Sequence, residues 1–554
     1  MKLKQRLFIG IAGAALVTTA MVITITTYYY NDSKQMQNYV KYVHNFIPSM
    51  SQRSLQKTVN EEVERIETPK KEKNIKVRLK KKLRKRHGEA NVTYPDSNQA
   101  AEVYLSEKEY EDLLKNRNFL RPSVTPNYST PKQPFSKKGL KSRFIRECIN
   151  INITRSPDDD RDTFNDLVEI LQNEMGAQTR SGRHQYQRKR ITMKDIHNID
   201  VGKNLTLMEM FHLDISDQDL YTEDDTLVQN LLVEMSKNQI VHVEERAGGT
   251  QLKLIITFYD GSQAMMKPMR FDRNKETLPN HFYFVDFERH NSEIAAFHLD
   301  RILGFRRCPP VIGRILNITT EIYAVADDDL LKTFFISPAQ NYCFHGQCSY
   351  YCDTGHAICG QPDDIEGSLA AYLPPDQLSG RKSWKNPWKR TYHKRRKAAW
   401  ETNDDYCDAV RNQKLYNNTK RLADLIDVSI FDFLIGNMDR HHYETFKIFG
   451  NESFILHLDH GRGFGRSKHD EISILAPLYQ CCFIHATTFE RLLQLQINPM
   501  KLSTLMRCSM YSDPLNPILN DAHLKALDRR LQIVLQIVRQ CFQMKSEKLI
   551  LYHG

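Results

Sequence analysis

The chain has 554 residues, 40% of them hydrophobic, which is enough apolar material for a large folded core and excludes a wholly disordered protein. Its 78 Lys and Arg exceed 67 Asp and Glu to leave a net charge of +11. A basic total suits nucleic acid, but the first thirty residues exclude that partner by directing the chain away from it.

Phe8 to Thr27 is a run of twenty uncharged residues, about the length needed to cross ~30 Å of hydrocarbon as a helix. Lys2, Lys4 and Arg6 precede it, so the positive-inside rule keeps that end cytoplasmic and sends the rest across. Residues 1–30 therefore read as a short tail and signal anchor, with a cleaved signal peptide as the alternative. Residues 31–155 are polar, rich in Pro, Ser and Lys, and lack sustained periodicity, which predicts a disordered luminal stem. Persistent apolar periodicity then predicts a folded domain over residues 156–550.

Sequons stand at Asn31, Asn91, Asn127, Asn152, Asn204, Asn317, Asn417 and Asn451, a density that suits the secretory pathway. Eight of the eleven cysteines (Cys343, Cys348, Cys352, Cys359, Cys407, Cys481, Cys482 and Cys541) read as disulfides in an oxidising lumen. The four closely spaced ones, Cys343 to Cys359, could instead hold zinc. Cys148, Cys308 and Cys508 are expected to be buried free thiols.

Within the domain, Gln251 to Phe258 alternates as a strand leaving the Gly248-Gly249 turn, and a second short strand leads to Lys267. Phe282 to Phe287 reads as another strand, and Ile294, Phe297 and Ile302 then recur at helical spacing. Leu422, Leu425, Ile426, Ile430, Phe433 and Leu434 mark an amphipathic helix, and Leu524, Leu527, Leu531, Val534 and Val538 mark a closing one. Strands early and helices late predict an α+β, two-lobed architecture.

The helix ending near Leu434 runs into "GNMDRHH", which places Asp439 in a polar loop suited to accept a proton. Twenty residues later Phe454 to Asp459 alternates as a strand, with Asp459 at its end before "HGRGFG", a place for a divalent-metal ligand. A base and a metal carboxylate at this spacing resemble kinase-type phosphoryl-transfer sites, as do Lys267 and Glu288 upstream. Glu444 stands five residues after Asp439, where the kinase catalytic loop carries a polar side chain.

"DFERHNSEIAAFHLDRIL", "CSYYC", "EGSLAAYLP", "GNMDRHHYETF", "LDHGRGFG" and "ILAPLYQCC" together resemble the secretory-pathway kinases of the family with sequence similarity twenty, relatives of four-jointed. The similarity covers roughly Asp160 to Cys541 and is nearest the Golgi casein kinase branch. It implies an atypical kinase fold with disulfide-bonded insertions that uses Mn²⁺ and ATP. By motif, Asp439 would be the catalytic base, Asp459 would bind metal and nucleotide, and Glu288 would be the second metal ligand. The family's pseudokinase carries Gln at the latter position. Gln251, Lys253 and Lys267 would line the phosphates, Ala370, Ala371, Tyr372 and Leu373 would frame the adenine, and Glu444 would contact the nucleotide. The implied disulfides are Cys343–Cys359, Cys348–Cys352, Cys407–Cys481 and Cys482–Cys541.

The function implied is phosphorylation of Ser in Ser-x-Glu sites of secreted acidic proteins, from a Golgi membrane location with possible release after cleavage. A xylose kinase of proteoglycan linkers and a non-catalytic activator of a related kinase are the alternatives. Homodimers or heterodimers with a related pseudokinase are expected as partners, and nucleic acid is not. Arg381 to Lys397, with nine basic residues and Trp384 and Trp388 interleaved, is either a solvated face or a steering surface for acidic peptides.

Overall fold

The computed structural model describes residues 161–180, 189–199, 205–223, 226–417, 419–544 and 551–553. The expected tail, anchor and stem, Cys148, and the sequons Asn31, Asn91, Asn127, Asn152 and Asn204 lie outside them. Among the described residues no helix is long and apolar enough to cross a membrane.

Five strands form one antiparallel sheet: β1 (Ile240–Glu245), β2 (Leu254–Phe258), β3 (Gln263–Pro268), β4 (Val311–Asn317) and β5 (Asp364–Ala371), in the order β1-β2-β3-β5-β4. β2 begins at Leu254, later than the alternating pattern suggests, and its Leu254, Ile255, Ile256 and Phe258 are all buried. It is a strand covered on both faces, so the alternation in its flank marks an approach rather than a pairing. Gly248 and Gly249 take φ of +79° and +99°, a turn that L side chains resist.

Helix α1 (Thr226–Lys237) lies against β4, and helix α2 (His290–Leu303) lies against both β4 and β5. Every residue of α2 except Arg301 is buried, because the C-terminal helices cover its other side. Gly304 ends it with φ +80°. Helix α3 (Thr419–Ile435) is buried at every residue from Arg421 to Ile435 and packs on the closing helix α4 (Asp521–Met544).

A helix buried all round must satisfy its own charges. Asp424 and Asp427 of α3 receive Arg307 at 3.1 and 3.3 Å, and Asp424 also receives Lys420 at 3.3 Å. His485 lies 3.2 Å from Asp424 and 3.6 Å from Asp427, and Thr488 donates to Asp427 at 2.8 Å.

The four disulfides implied by the resemblance are present: Cys343–Cys359, Cys348–Cys352, Cys407–Cys481 and Cys482–Cys541. They remove the zinc alternative for the Cys343 to Cys359 group. The neighbours Cys481 and Cys482 pair in opposite directions in sequence, one 74 residues back and the other 59 residues forward. Cys308 is a buried free thiol as expected, whereas Cys508 is disulfide-bonded, which corrects its reading as a free one.

Two expected strands are absent. Tyr283–Val285 is a single 3-10 turn, and its aromatic side chains spend themselves on one another, with Phe284 4.6 Å from Tyr392 and 5.8 Å from Tyr350. Phe454 to His457 are all buried rather than alternately exposed, and the segment makes one isolated bridge, Leu456 to Glu444. Extended residues without a laddered neighbour do not make a strand. Among the remaining sequons Asn417 and Asn451 are exposed, while Asn317 is half-buried and accepts bonds from Thr319 and Thr320.

Candidate active site

The site assembles where β3, the start of α2 and the turn after Leu458 converge. Lys267 near the end of β3 places Nζ 2.7 Å from Glu288, 2.5 Å from Glu293 and 2.7 Å from Asp459. Lys253, just before β2, lies 3.6 Å from Glu288 and 3.5 Å from Asp459. Sequence reasoning paired Lys267 with Glu288, and the structure makes that contact. It missed Glu293, whose signal was an acidic residue on a helix turn facing inward with Ile294 and Phe297.

Burial opposes the charge of Lys267, but Asp459, Glu288 and Glu293 overcome it and hold the ammonium well above its ordinary range. Burial likewise raises Glu293, yet Lys267 and His460 bring it down to about 2. Asp459 is drawn well below the usual carboxylate range against its desolvation, chiefly by Lys253 and Lys267. Its side chain still keeps 54% of its surface, so the carboxylate is held by charge and open to a ligand.

The turn is shaped by close approach. Asp459 itself adopts φ +60°, which Asp tolerates better than most residues. A Cβ on Gly461 would come 2.8 Å from Glu288 Cβ and 3.1 Å from Lys267 Nζ, so only glycine lets the turn lie on the two site residues. Arg289 N–H donates to the Gly461 carbonyl at 2.7 Å, and Ser292 Oγ to the His460 carbonyl at 2.5 Å. The His460 N–H donates to Glu293 at 2.9 Å, which ties the turn to α2.

Asp439 hangs from the end of α3. Buried Asp432 accepts from Arg440 at 2.8 and 2.9 Å and from Asn437 at 3.0 Å, and Asn437 in turn accepts from the Asp439 N–H at 3.1 Å. Arg440 also donates to the Leu458 carbonyl, one residue before Asp459, and so joins the two aspartate loops. Asp439 pairs with Arg462 and lies 3.1 Å from His441, whose imidazole burial keeps below its ordinary range.

The remaining expected residues are placed as follows. Gln251, buried, donates to the Asp286 carbonyl at 2.7 Å and accepts from the Glu288 N–H at 2.8 Å, so its amide fixes the metal-ligand candidate Glu288. Ala370 and Ala371 end β5, and the Ala371 and Tyr372 N–H groups donate to Pro310 and Gln263 carbonyls, while Tyr372 O receives His212 at 2.7 Å. Leu373 is buried beside them. An adenine framed by this segment would meet apolar side chains rather than those two amides. Glu444 is half-exposed on strand β7 (His442–Phe446) and pairs with Arg381 of strand β6 (Arg381–Lys385) at 3.1 Å.

Oxygen donors of this kind suit a hard divalent cation such as Mn²⁺. Three carboxylates face two lysines, Lys267 covers Glu288 Oε2 at 2.7 Å where a bound cation would take the place of its ammonium, and the Asp459 side chain keeps 54% of its surface open to that cation. The residues present fit a metal held by Glu288 and Asp459.

The family description "Golgi casein kinase, C-terminal, Fam20" matches residues 206–550. The chain is 58% identical over 352 residues to the extracellular serine/threonine protein CG31145 of Drosophila melanogaster, covering 64% of this chain and 67% of the relative. It is 56% identical over 334 residues to the human extracellular serine/threonine protein kinase FAM20C, covering 60% and 57%. A human glycosaminoglycan xylosylkinase is more distant, at 41% over 326 residues, covering 58% and 77%. A crystal structure of the Golgi casein kinase with Mn/ADP bound superposes with TM-score 0.67 at 40% identity, over 76% of this chain and 99% of that one. The lysine–carboxylate cluster thus sits in a fold and sequence with close kin, and the chain belongs to the Fam20 family of Golgi casein kinases.

Proposed function

We propose that this protein is a Mn²⁺-dependent serine/threonine protein kinase of the secretory pathway that transfers the ATP γ-phosphate to serine, in Ser-x-Glu contexts, of acidic secreted proteins. The observation that carries the reading is the convergence of Glu288 and Asp459 on Lys267 and Lys253, with Asp439 tied to the same turn through Arg440. Similarity to FAM20C above the xylosylkinase supports a protein acceptor over a sugar. Glu288 in place of the pseudokinase's Gln supports catalysis over a purely activating role.

Bound metal would supply charge neutralisation along the phosphates. The chain's own residues do the rest. Glu288 and Asp459 would hold the metal, and the two lysines that now cover them would turn to phosphate oxygens. Asp439 accepts the serine proton, and Gln251 and Ser292 keep the carboxylates from drifting. The exposed Lys382 and Lys385 stand near the catalytic loop because β6 pairs with β7, which follows that loop directly, and Tyr392, 5.7 Å from the His441 ring, brings the run that carries exposed Lys389, Arg395, Arg396 and Lys397 to the same loop. They supply a cationic approach for acidic proteins.

The disulfides suit an oxidising lumen, so a type II Golgi location with release after stem cleavage is part of the proposal, as is pairing with itself or with a related pseudokinase. Incubating the luminal chain with Mn-ATP and either casein or a xylose-containing linker tetrasaccharide tests it. Label on casein alone is the expected result. Label on the sugar alone makes it a glycan kinase, and label on neither leaves an activator.

A further inference from the structure

Arg462, within "HGRGFG", does not point to solvent. Its side chain is 9% exposed and its guanidinium is held on three sides. Nη1 pairs with Asp439 Oδ2, Nη2 donates to Thr250 Oγ1 at 3.2 Å, and Nε donates to the Asp286 carbonyl at 3.3 Å. Its Cζ sits over the Phe284 ring at 5.4 Å. A guanidinium has five N–H groups, so three contacts leave two (5 − 3) beside the base.

An acceptor serine must bring its hydroxyl to Asp439. In an extended peptide, side chains two residues apart lie on one face, about 6.6 Å apart at ~3.3 Å per residue. A carboxylate two positions after the serine therefore faces the same wall as the hydroxyl, where Arg462 is the cation in direct contact with the base. A side chain one position after it faces away. Guanidinium and carboxylate match as a planar bidentate pair, and an arriving carboxylate also competes with Asp439 for that charge.

Resting on the protein-kinase reading above, we propose that Arg462 reads the acidic residue at the second position after the acceptor serine, and by binding it loosens the Arg462–Asp439 pair so that the base can take the hydroxyl proton. Specificity then resides in a buried pair at the base and not in the exposed basic run.

Three peptides test this, alike except for Glu at the second position, Glu at the first, or Gln at both. Rates are measured with Mn-ATP, and binding of Ser→Ala forms is measured by fluorescence anisotropy with Mn-ADP. For the wild type, kcat/KM and affinity should both favour Glu at the second position by at least about tenfold, with the preference persisting at high salt because the pair is shielded from solvent. Arg462→Gln should bring the binding ratio close to one, and Arg462→Lys should retain part of it. A ratio that survives Arg462→Gln in the folded protein, or one that vanishes in the wild type at high salt, overturns the assignment. If the wild type binds the peptides but phosphorylates none, the kinase reading fails, and the binding ratio still decides the role of Arg462.

Discussion

Among the ionic clusters of the described residues, two buried ones differ in their charge balance. In the first, Asp424 and Asp427 face Arg307 and Lys420, two negative charges against two positive, with His485 alongside. In the second, Glu288, Glu293 and Asp459 face Lys253 and Lys267, three against two, with His460 alongside Glu293 at 3.4 Å. Asp424, Asp427 and His485 place ligand atoms within 4.8 Å of one another, close enough for a metal. Arg307 already fills that role, so spacing alone would select the wrong cluster. A closed balance marks structure, and an open one with a half-exposed Asp459 marks chemistry.

Asp459→Ala provides the strongest test of the contrast. It should lower kcat by about a thousandfold or more, because electrostatic stabilisation dominates phosphoryl transfer, with little change in melting temperature since the side chain is half open. Activity within a few-fold of wild type would remove Asp459 from the chemistry. Arg307→Met should do the reverse. It leaves two buried carboxylates with Lys420 on Asp424 and His485 beside both, and should cost about 3–5 kcal/mol of stability, read by denaturant unfolding, while the folded fraction keeps its Mn-ADP affinity.

These two clusters also show what the sequence could and could not reveal. Asp439, Asp459, Lys267 and Glu288 were legible because each sits in a short motif whose spacing maps onto a known division of labour. Glu293 and Arg462 were not, since a lone Glu or Arg carries no spacing signal and gains its role from a fold that brings distant turns together. Phe282–Phe287 and Phe454–Asp459 read as strands because strand propensity reports an apolar extended segment and is silent on whether a ladder partner exists. Cys508 was misread because pairing depends on a second residue that composition does not locate.

Adding Mn-ADP at 100 times Kd should stabilise the protein by about 2.7 kcal/mol, and Glu288→Gln should abolish most of that gain by closing the unbalanced charge. Equal stabilisation of the variant in a thermal melt would show that Glu288 is not a ligand. Acid should separate the clusters more gently. Glu293 is lowered from 4.5 to about 2, so its contribution is fully present above about pH 4.5 and is lost as pH falls through about 2. Glu293→Gln should flatten that limb of the stability curve, and an unchanged limb would place the acid sensitivity elsewhere. The smallest effect is expected at the surface. Reversing Arg395, Arg396 and Lys397 to Glu should raise KM for acidic proteins a few-fold at low salt and leave kcat and ATP affinity alone, since exposed charges are screened beyond about 8 Å near physiological ionic strength.

The adjacent cysteines Cys481 and Cys482 carry a consequence for how the protein responds to reductant. One peptide step joins crosslinks to the short helix Tyr406–Arg411 and to α4, closing a loop of 74 residues that contains α3 and one of 59 residues after it. Loops of that size each restrict the unfolded chain by about 4 kcal/mol in the entropic account. Swapping the two partners would shift both attachments by one residue, so the register of the segment depends on each cysteine finding its own partner. Reductant is therefore expected to lower the melting temperature through this pair of bonds, which hold one peptide step to two distant helices.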